Sequence, residues 1–316
     1  MKNKSLGGCA QPLWIAATVW VAGAGLAGCG GGGGGSGGGM PLPLFPTTAA
    51  VPAPPPAPTS GRAINRDPVA GSEPAPLLSA PQPGSTAAVG NDSEGLYIDQ
   101  HHATFVSASG LIAHKSFAGS LWGAIKVTGS NWSFNTGTAY FPDALPVTGS
   151  GTFAPRKTMT GSYAYGGREP SAFGPLDYMA ENALAVSQDS VVGKWSSTDS
   201  PISFGVGVSI EVDAKGAFTG KTAGAQIGNC SISGTITQAQ PGTAKNMYDF
   251  TLKAVDASTD GKGVCKLNTG GPYAGPAAVG LEPAGLFDSN GYFRSIMFLI
   301  KAPDGAIVTS GMRKQP

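Results

Sequence analysis

The sequence predicts an all-β protein, an antiparallel β-barrel or β-sandwich domain that follows a disordered tether rich in Gly and Pro. Three observations lead to this prediction: apolar residues alternate with polar ones, Gly and Asp turns separate these segments, and helical spacing is nearly absent. The chain of 316 residues holds 49 Gly and 26 Pro, well above average usage, and only 12% charged residues. Its net charge of +1 gives no basic field that would favour nucleic acid as a partner.

The first 28 residues have the organisation of a secretory signal peptide. Lys2 and Lys4 give a basic start, and an apolar run from Leu13 to Gly28 ends in small residues. The run is rich in Ala and Gly and is shorter than the roughly 20 strongly apolar residues that a membrane-spanning helix needs. We therefore expect residues 1–28 to be removed from the mature protein.

The end of this segment, Leu26-Ala27-Gly28-Cys29, resembles the lipobox of bacterial lipoproteins. The resemblance implies cleavage before Cys29 and acylation of its thiol. Gly30, in place of Asp, implies passage to the outer membrane. Several acyl chains would hold a domain on a bilayer, because each buried methylene contributes about 0.8 kcal/mol. The alternative is a signal cut elsewhere, which would leave a free periplasmic protein.

Residues 29–93 are predicted to be the lipidated Cys and a disordered linker. Gly30 to Gly39 is Gly apart from Ser36, and residues 41–93 carry repeated Pro with few aromatics. The Gly segment is typical of a flexible coil and the Pro segment of an extended spacer. Neither can bury enough apolar surface to offset the entropy of ordering it. Such a segment would serve as a stalk, or else be low-complexity sequence without a function.

A lipidated Cys, a Gly run, a linker and a β-rich domain together resemble surface lipoproteins of Gram-negative bacteria, of which factor H-binding protein and transferrin-binding protein B are examples. The likeness covers about forty residues and is one of architecture. It implies a lipid-anchored outer-membrane protein, on the cell surface or on the periplasmic face. No ligand or binding residue carries over from those proteins.

The β-rich domain is predicted over residues 94–316, which hold sixteen basic and sixteen acidic side chains. The clearest strand is Ile202–Val212, in which every second residue is apolar. Asp213-Ala214-Lys215-Gly216 supplies a turn, and Ala217–Lys221 would return as its partner. Alternation also predicts strands at Leu121–Val127, Asn131–Phe134, Val147–Phe153, Thr158–Tyr165, Cys230–Ile236, Tyr248–Ala254, Ile296–Ile300 and Ala306–Met312.

Only Leu176–Ser187 suits a helix, which would connect two lobes, residues 94–185 and 186–316. The second lobe offers enough strands to close a small barrel, and the first would add a sheet or a smaller lobe. A transmembrane barrel is the competing interpretation. The strand-like segments are mostly about five to nine residues long, whereas membrane-crossing strands need about nine to eleven.

Two cysteines remain for the folded domain once the signal and Cys29 are set aside. Cys230 shares a strand face with Ile232, and Cys265 shares one with Leu267. In an oxidising compartment such a pair predicts a disulfide. Its closed loop of about 35 residues would contribute roughly 3.5–4 kcal/mol in the chain-entropy model. Redox or metal chemistry is the alternative, but CxxC spacing is absent from the sequence and no His is nearby.

The three histidines give no catalytic pattern. His101 and His102 are adjacent, so in a strand they would point to opposite faces and would not chelate one ion. Outside the Gly tract of residues 30–39, the sequence holds no G-x-S-x-G motif, and it holds no H-E-x-x-H motif, to accompany them or His114. We therefore interpret them as solvated loop histidines, and predict no catalytic residue.

Carboxylates and glycine motifs are equally uninformative. Glu211 and Asp213 lie on one face of a strand that Ser and Gly mark as solvent-exposed, and Asp256 and Asp260 belong to a turn. The segment Gly216–Thr222 is one residue short of a phosphate loop. The sequence therefore predicts neither a cofactor nor a metal site.

Eight aromatic residues are the remaining candidates for a binding surface, since exposed rings suit a protein or a glycan ligand. We expect a non-catalytic, lipid-anchored lipoprotein that presents a β-domain for binding. The alternatives are a lipocalin-like carrier of a small apolar ligand, for which a deep cavity would be evidence, and a cell-envelope hydrolase that uses a His. The eight residues are Trp122, Trp132, Trp195, Tyr140, Tyr163, Tyr165, Tyr248 and Tyr273.

Overall fold

The computed structural model describes residues 69, 71–74, 93–99, 101–116, 118–141, 143–197, 207–225, 227–259, 261–284 and 291–316. The predicted signal peptide, Cys29, most of the predicted linker and residues 202–206 of the predicted strand lie outside these residues. The described chain is mainly strand and forms two antiparallel barrels of eight strands each. The prediction of an all-β domain is confirmed.

A two-residue strand, β1 (Glu73–Pro74), lies within the segment predicted to be disordered and pairs with a strand near the end of the chain. The first barrel follows. Each of its strands pairs with the next, and the last pairs with the first to close the barrel. Its strands are β2 (Gly95–Ile98), β3 (Ala103–Val106), β4 (Leu111–Lys115), β5 (Ser120–Thr128), β6 (Asn131–Tyr140), β7 (Ala144–Ala154), β8 (Thr158–Tyr165) and β9 (Ser171–Tyr178).

Several large rings pack among aliphatic side chains in the interior of the first barrel. Trp132 is 1% exposed and packs edge-on against Phe173, with ring centroids 5.4 Å apart. Its indole Nε1 donates a hydrogen bond to the carbonyl of Thr160 at 3.0 Å. A Cβ on Gly151 or on Gly161 would lie 2.7 Å from the indole, so both positions need Gly for the ring to fit.

The second barrel repeats the same order of strands and closes because its last strand pairs with both the strand before it and the first. Its core contains apolar side chains from all eight strands. The strands are β10 (Gly193–Ser196), β11 (Gly207–Val212), β12 (Ala217–Ala223), β13 (Cys230–Gln238), β14 (Tyr248–Asp256), β15 (Tyr273–Pro283), β16 (Gly291–Lys301) and β17 (Ile307–Lys314).

The strands are longer than the sequence pattern predicted. β7, β15 and β16 each have 11 residues and β6 has 10. The predicted bounds followed the apolar positions alone, whereas the backbone pairing continues through Gly, Ser and Pro residues. The strand-length argument against a transmembrane barrel therefore no longer applies.

The predicted disulfide between Cys230 and Cys265 is confirmed, with Cα atoms 4.9 Å apart. Cys230 begins β13 and is buried in the core of the second barrel, as its alternation predicted. Cys265 lies in the long loop between β14 and β15. There its N–H and that of Ser258 each donate to Asp256 at 3.0 Å, which holds the pKa of this carboxyl below its usual value.

The helix predicted over Leu176–Ser187 is wrong. Strand β9 continues through Tyr178, and two short 3-10 helices follow, Ala180–Ala183 and Gln188–Val191. The side chain of Asn182 explains the difference, because it bonds the backbone of Leu96 as a neighbouring strand would, accepting at 3.0 Å and donating at 2.8 Å. Tertiary contacts thus override the local helical pattern.

The two barrels belong to one compact unit and share an apolar interface. A buried ion pair joins Glu94, just before β2, to Lys245 in the loop between β13 and β14. The buried amide of Asn246 also links the elements, because it donates to the carbonyls of Glu181 and Val279 and accepts from the Val279 N–H. The apolar residues at the centre of the interface are Leu96, Phe105, Ala113, Met247, Ala278 and Leu299.

Candidate binding surface

Two open grooves lie on the outer surface of the first barrel, and their volumes are similar, about 410 and 420 Å³. We call the first the junction groove, because it lies where β4, β5 and β6 meet the end of β16. It is lined mainly by Leu111, Trp122, Thr136, Thr138, Tyr140 and Lys301. We call the second the hydroxyl groove. It is lined by Lys126, Thr128, Asn131, Ser133, Ser150 and Thr152, with Trp132 beneath them.

The junction groove follows a β-bulge. Ala124 of β5 lies opposite Thr136 of β6, but the next residue, Ile125, lies opposite Phe134, so Asn135 has no partner on β5. A bulge of this kind bends the strand and increases its twist. An open groove lies on the outer face of β5 and β6 at this point.

Trp122 forms one wall of the junction groove and is held from both barrels. It is half-buried on the outer face of β5, and the Lys301 ammonium lies 5.8 Å from its ring centroid. A Cβ on Gly275 would lie 2.6 Å from the ring and 2.2 Å from the Leu299 carbonyl, so only Gly allows this approach. The indole is consequently fixed in position while part of it faces the groove.

Hydroxyl groups lie beside this ring. Thr138 is the direct cross-strand neighbour of Trp122, and Thr136 is that of Ala124. Within the described chain, neither threonine hydroxyl has a hydrogen-bond partner. Tyr140 lies further along β6, where a Cβ on Gly305 (φ +91°) in the β16–β17 turn would lie 2.8 Å from its ring.

The hydroxyl groove has a different chemistry despite its similar size. Trp132 lies beneath it, but the ring is 1% exposed and its only N–H is already bonded to Thr160. The hydroxyls of Thr152 and Thr160 lie 3.1 Å apart and bond each other. This groove therefore offers hydroxyls and the amine of Lys126, but little aromatic surface.

The structure divides the three histidines into two environments. His101 is exposed on the β2–β3 turn, as predicted for a solvated loop residue. His114 is 3% exposed inside the first barrel, where its Nδ1 and the Thr104 hydroxyl share a hydrogen bond of 2.7 Å. The interpretation as a solvated histidine is therefore wrong for His114. The ring of His102 stacks on it, with centroids 5.3 Å apart, and its Nδ1 contacts Asp99 at 2.7 Å.

Burial determines the charge state of this cluster. It lowers the pKa of His114 to about 3, and the nearby charge of His102 acts in the same direction. The pKa of Asp99 is lowered: partial burial opposes this shift, but the His101 N–H and the His102 ring outweigh it. His114 is thus neutral near pH 7, and its bonded hydroxyl is buried with it. The arrangement suits packing of the barrel end better than nucleophilic catalysis.

The other predicted candidates have structural surroundings. Glu211 is exposed on β11, and Asp213 accepts the N–H groups of Lys215 and Ala217 in the following turn. Asp260 lies outside the described residues. Within the described part of the chain, no group of three or more His, Cys, Asp or Glu side chains is arranged to hold a metal ion.

The structure shows which of the eight aromatic candidates are buried and which are partly exposed, a distinction that the sequence could not make. Four lie in the cores and four are partly exposed on the first barrel. Lys301 and the two threonines of the junction groove were not among the candidates, because no local pattern connects β6 with a strand about 160 residues later. The buried four are Trp132, Trp195, Tyr248 and Tyr273, and the partly exposed four are Trp122, Tyr140, Tyr163 and Tyr165.

No known protein family, curated protein or solved structure matches this chain. In the described ranges, the chain forms no helix with the length and apolar character needed to cross a bilayer.

Proposed function

We propose that this protein is a non-catalytic, lipid-anchored lipoprotein of the outer membrane that presents its two-barrel domain to bind other molecules. The observation that carries the proposal is that side chains fill both barrel interiors. A ligand would therefore have to contact the outer surface, and both grooves lie there.

The filled interiors favour a binding module over a lipocalin-like carrier. A carrier needs an enclosed space that covers most of its ligand. The first barrel places Trp132, Phe173 and Met159 across its interior, and the second places Tyr248 and Phe250 there, all at most 2% exposed. Opening either interior would require several large side chains to move.

The outward side of the first barrel supports display in water. Cross-strand neighbours on β6, β7 and β8 form one outward row of serines, Ser133, Ser150 and Ser162. A second row holds Thr152 and Thr160 next to Asn131. Hydroxyl and amide groups suit contact with water or with a polar partner, whereas lipid would leave them without hydrogen bonds.

Attachment to the membrane rests on the lipobox resemblance at Cys29 and on the Gly- and Pro-rich segment that follows it. A hydrolase finds less support, because the only hydroxyl bonded to a histidine in the described residues, that of Thr104, is buried.

The anchor is tested by Cys29→Ser, followed by membrane fractionation and mass spectrometry of the mature N-terminus. We expect the wild-type chain to begin at an acylated Cys29 and to fractionate with the outer membrane, and the variant to be lost from it. Cys9→Ser is the matched control, because this thiol would leave with the signal and its replacement should change nothing. A Cys29→Ser variant that stays with the outer membrane would contradict the proposal. Protease treatment of intact cells then distinguishes surface from periplasmic display.

A further inference from the structure

We propose that the junction groove binds an acidic saccharide, a short sugar chain that carries a carboxylate. This inference rests on the proposed binding function and names the ligand class and the surface. The groove is open to solvent and has a volume of about 410 Å³. It lies where two domains meet, which is a preferred place for small-ligand sites.

The aromatic wall supplies the first element of recognition. A pyranose ring has one face of C–H groups, and these carry partial positive charge that the negative face of an aromatic ring attracts. Trp122 is half-buried and faces the groove, and Tyr140 lies on the same outer face two pairs along β6. Because Gly275 and Gly305 admit close contact with these rings, the aromatic surface is positioned before a ligand arrives.

The threonine hydroxyls supply the second element. Thr138 adjoins Trp122 directly across the strands, and Thr136 is two residues away on the same face. Each hydroxyl can donate one hydrogen bond and accept two, which matches the alternating donors and acceptors of sugar hydroxyls. In the described chain both hydroxyls are without a protein partner, so binding would break no hydrogen bond within the protein.

The charge of the groove determines which saccharide fits. Among the described residues, Lys301 is the only charged one in its lining, and its ammonium donates one hydrogen bond, to the Ala302 carbonyl at 3.4 Å. An ammonium has three donors, so two remain for a carboxylate. Charge-assisted hydrogen bonds of this kind are about twice as strong as neutral ones. An acidic sugar should therefore bind more tightly than its neutral equivalent.

The hydroxyl groove is the internal control. It has a similar volume and also one lysine, Lys126, beside Ser and Thr hydroxyls. It differs mainly in its aromatic residue, because Trp132 is buried while Trp122 is partly exposed. If stacking matters, the two grooves should behave differently towards the same sugar.

The experiment measures binding of 3′-sialyllactose, a hyaluronan tetrasaccharide and lactose to the full-length lipidated chain in detergent, by saturation-transfer NMR and calorimetry. We expect at least one acidic probe to bind about tenfold or more tightly than lactose. We expect Lys301→Gln to weaken that binding about fivefold or more, towards the affinity of lactose. Lys126→Gln, the matched control, should leave it unchanged.

Trp122→Ala should abolish the signal, but it also removes contacts at the barrel interface. Thr138→Val therefore provides a second test, since it keeps the side-chain shape and removes one hydroxyl, and it should weaken binding several-fold.

Three results would overturn the inference: no binding of either acidic probe, equal binding of lactose, or equal losses from Lys126→Gln and Lys301→Gln. None of these would affect membrane fractionation of the Cys29→Ser variant, so failure of the saccharide site and failure of the anchored-display proposal are distinguishable.

Discussion

The two barrels share the number and the order of their strands, but they fill their interiors in different ways. The first relies on a few large rings, and Trp132 fits only because Gly151 and Gly161 lie against it. Its interior also contains a polar pair, His114 and Thr104. The second is packed by a larger set of aliphatic and aromatic side chains, and a disulfide joins the start of β13 to the loop between β14 and β15.

The difference indicates a division of roles. An interior that depends on one indole and its glycines loses much of its packing when one residue changes. A large apolar core with a covalent link tolerates more substitutions. Both grooves lie mainly on the first barrel, whose curvature the bulge in β6 increases. We infer that the second barrel supplies most of the stability, whereas the first carries the two grooves.

The largest expected effect comes from Trp132→Ala. Loss of this buried ring and of its bond to Thr160 should lower the free energy of unfolding by about 3–5 kcal/mol. Hydrogen exchange should show the loss of protection in β2–β9 first. Trp195→Ala is the matched variant, because Trp195 is also 1% exposed and its Nε1 donates to the Val191 carbonyl at 2.8 Å, but in the second barrel. Equal loss of protection in both barrels after either change would mean that they unfold as one unit.

The second-largest expected effect comes from removing the disulfide. Replacing both Cys230 and Cys265 by Ala should lower the free energy of unfolding by about 3–4 kcal/mol, since the closed loop spans 35 residues. Chemical denaturation measures the loss, and hydrogen exchange should place it in β13 and β14. Adding reductant to the wild-type chain is the matching condition. If protection falls in the first barrel instead, the assignment of stability to the second barrel is wrong.

The smallest effect is the dependence on pH that His114 gives to the first barrel. In the unfolded chain His114 takes up a proton below about pH 6.5, whereas in the fold its pKa is about 3. Stability is therefore fully present above pH 6.5 and falls by about 1.4 kcal/mol per pH unit below it, or about 2 kcal/mol by pH 5.

His114→Phe should remove this slope, and His101→Phe, at an exposed position, should retain it. The measurement is urea denaturation between pH 7 and pH 5, with hydrogen exchange of β3 and β4 as the local readout. An unchanged slope in His114→Phe would mean that the proton uptake lies elsewhere.

Alternation of apolar residues was sufficient to predict most strands and the burial of Cys230, because a strand places every second residue on one face. It was insufficient for Leu176–Ser187, where Asn182 bonds a strand 86 residues earlier. It also could not distinguish Trp122 from Trp132. Trp122 points out of the barrel and Trp132 points inward, but their exposure depends on the second barrel and on glycines elsewhere in the chain. Local sequence patterns therefore could not predict the candidate site.

Strand β1 has a mechanical consequence. Glu73 and Pro74 pair with the start of β16, and the Arg294 guanidinium donates to the Glu73 carboxylate at 2.9 Å, before the chain reaches the first barrel. If the chain is tethered at its N-terminal end, tension from the membrane would reach β16 before it reaches β2. The barrel that carries the disulfide would then bear the load, and the barrel that carries the two grooves would remain free of it.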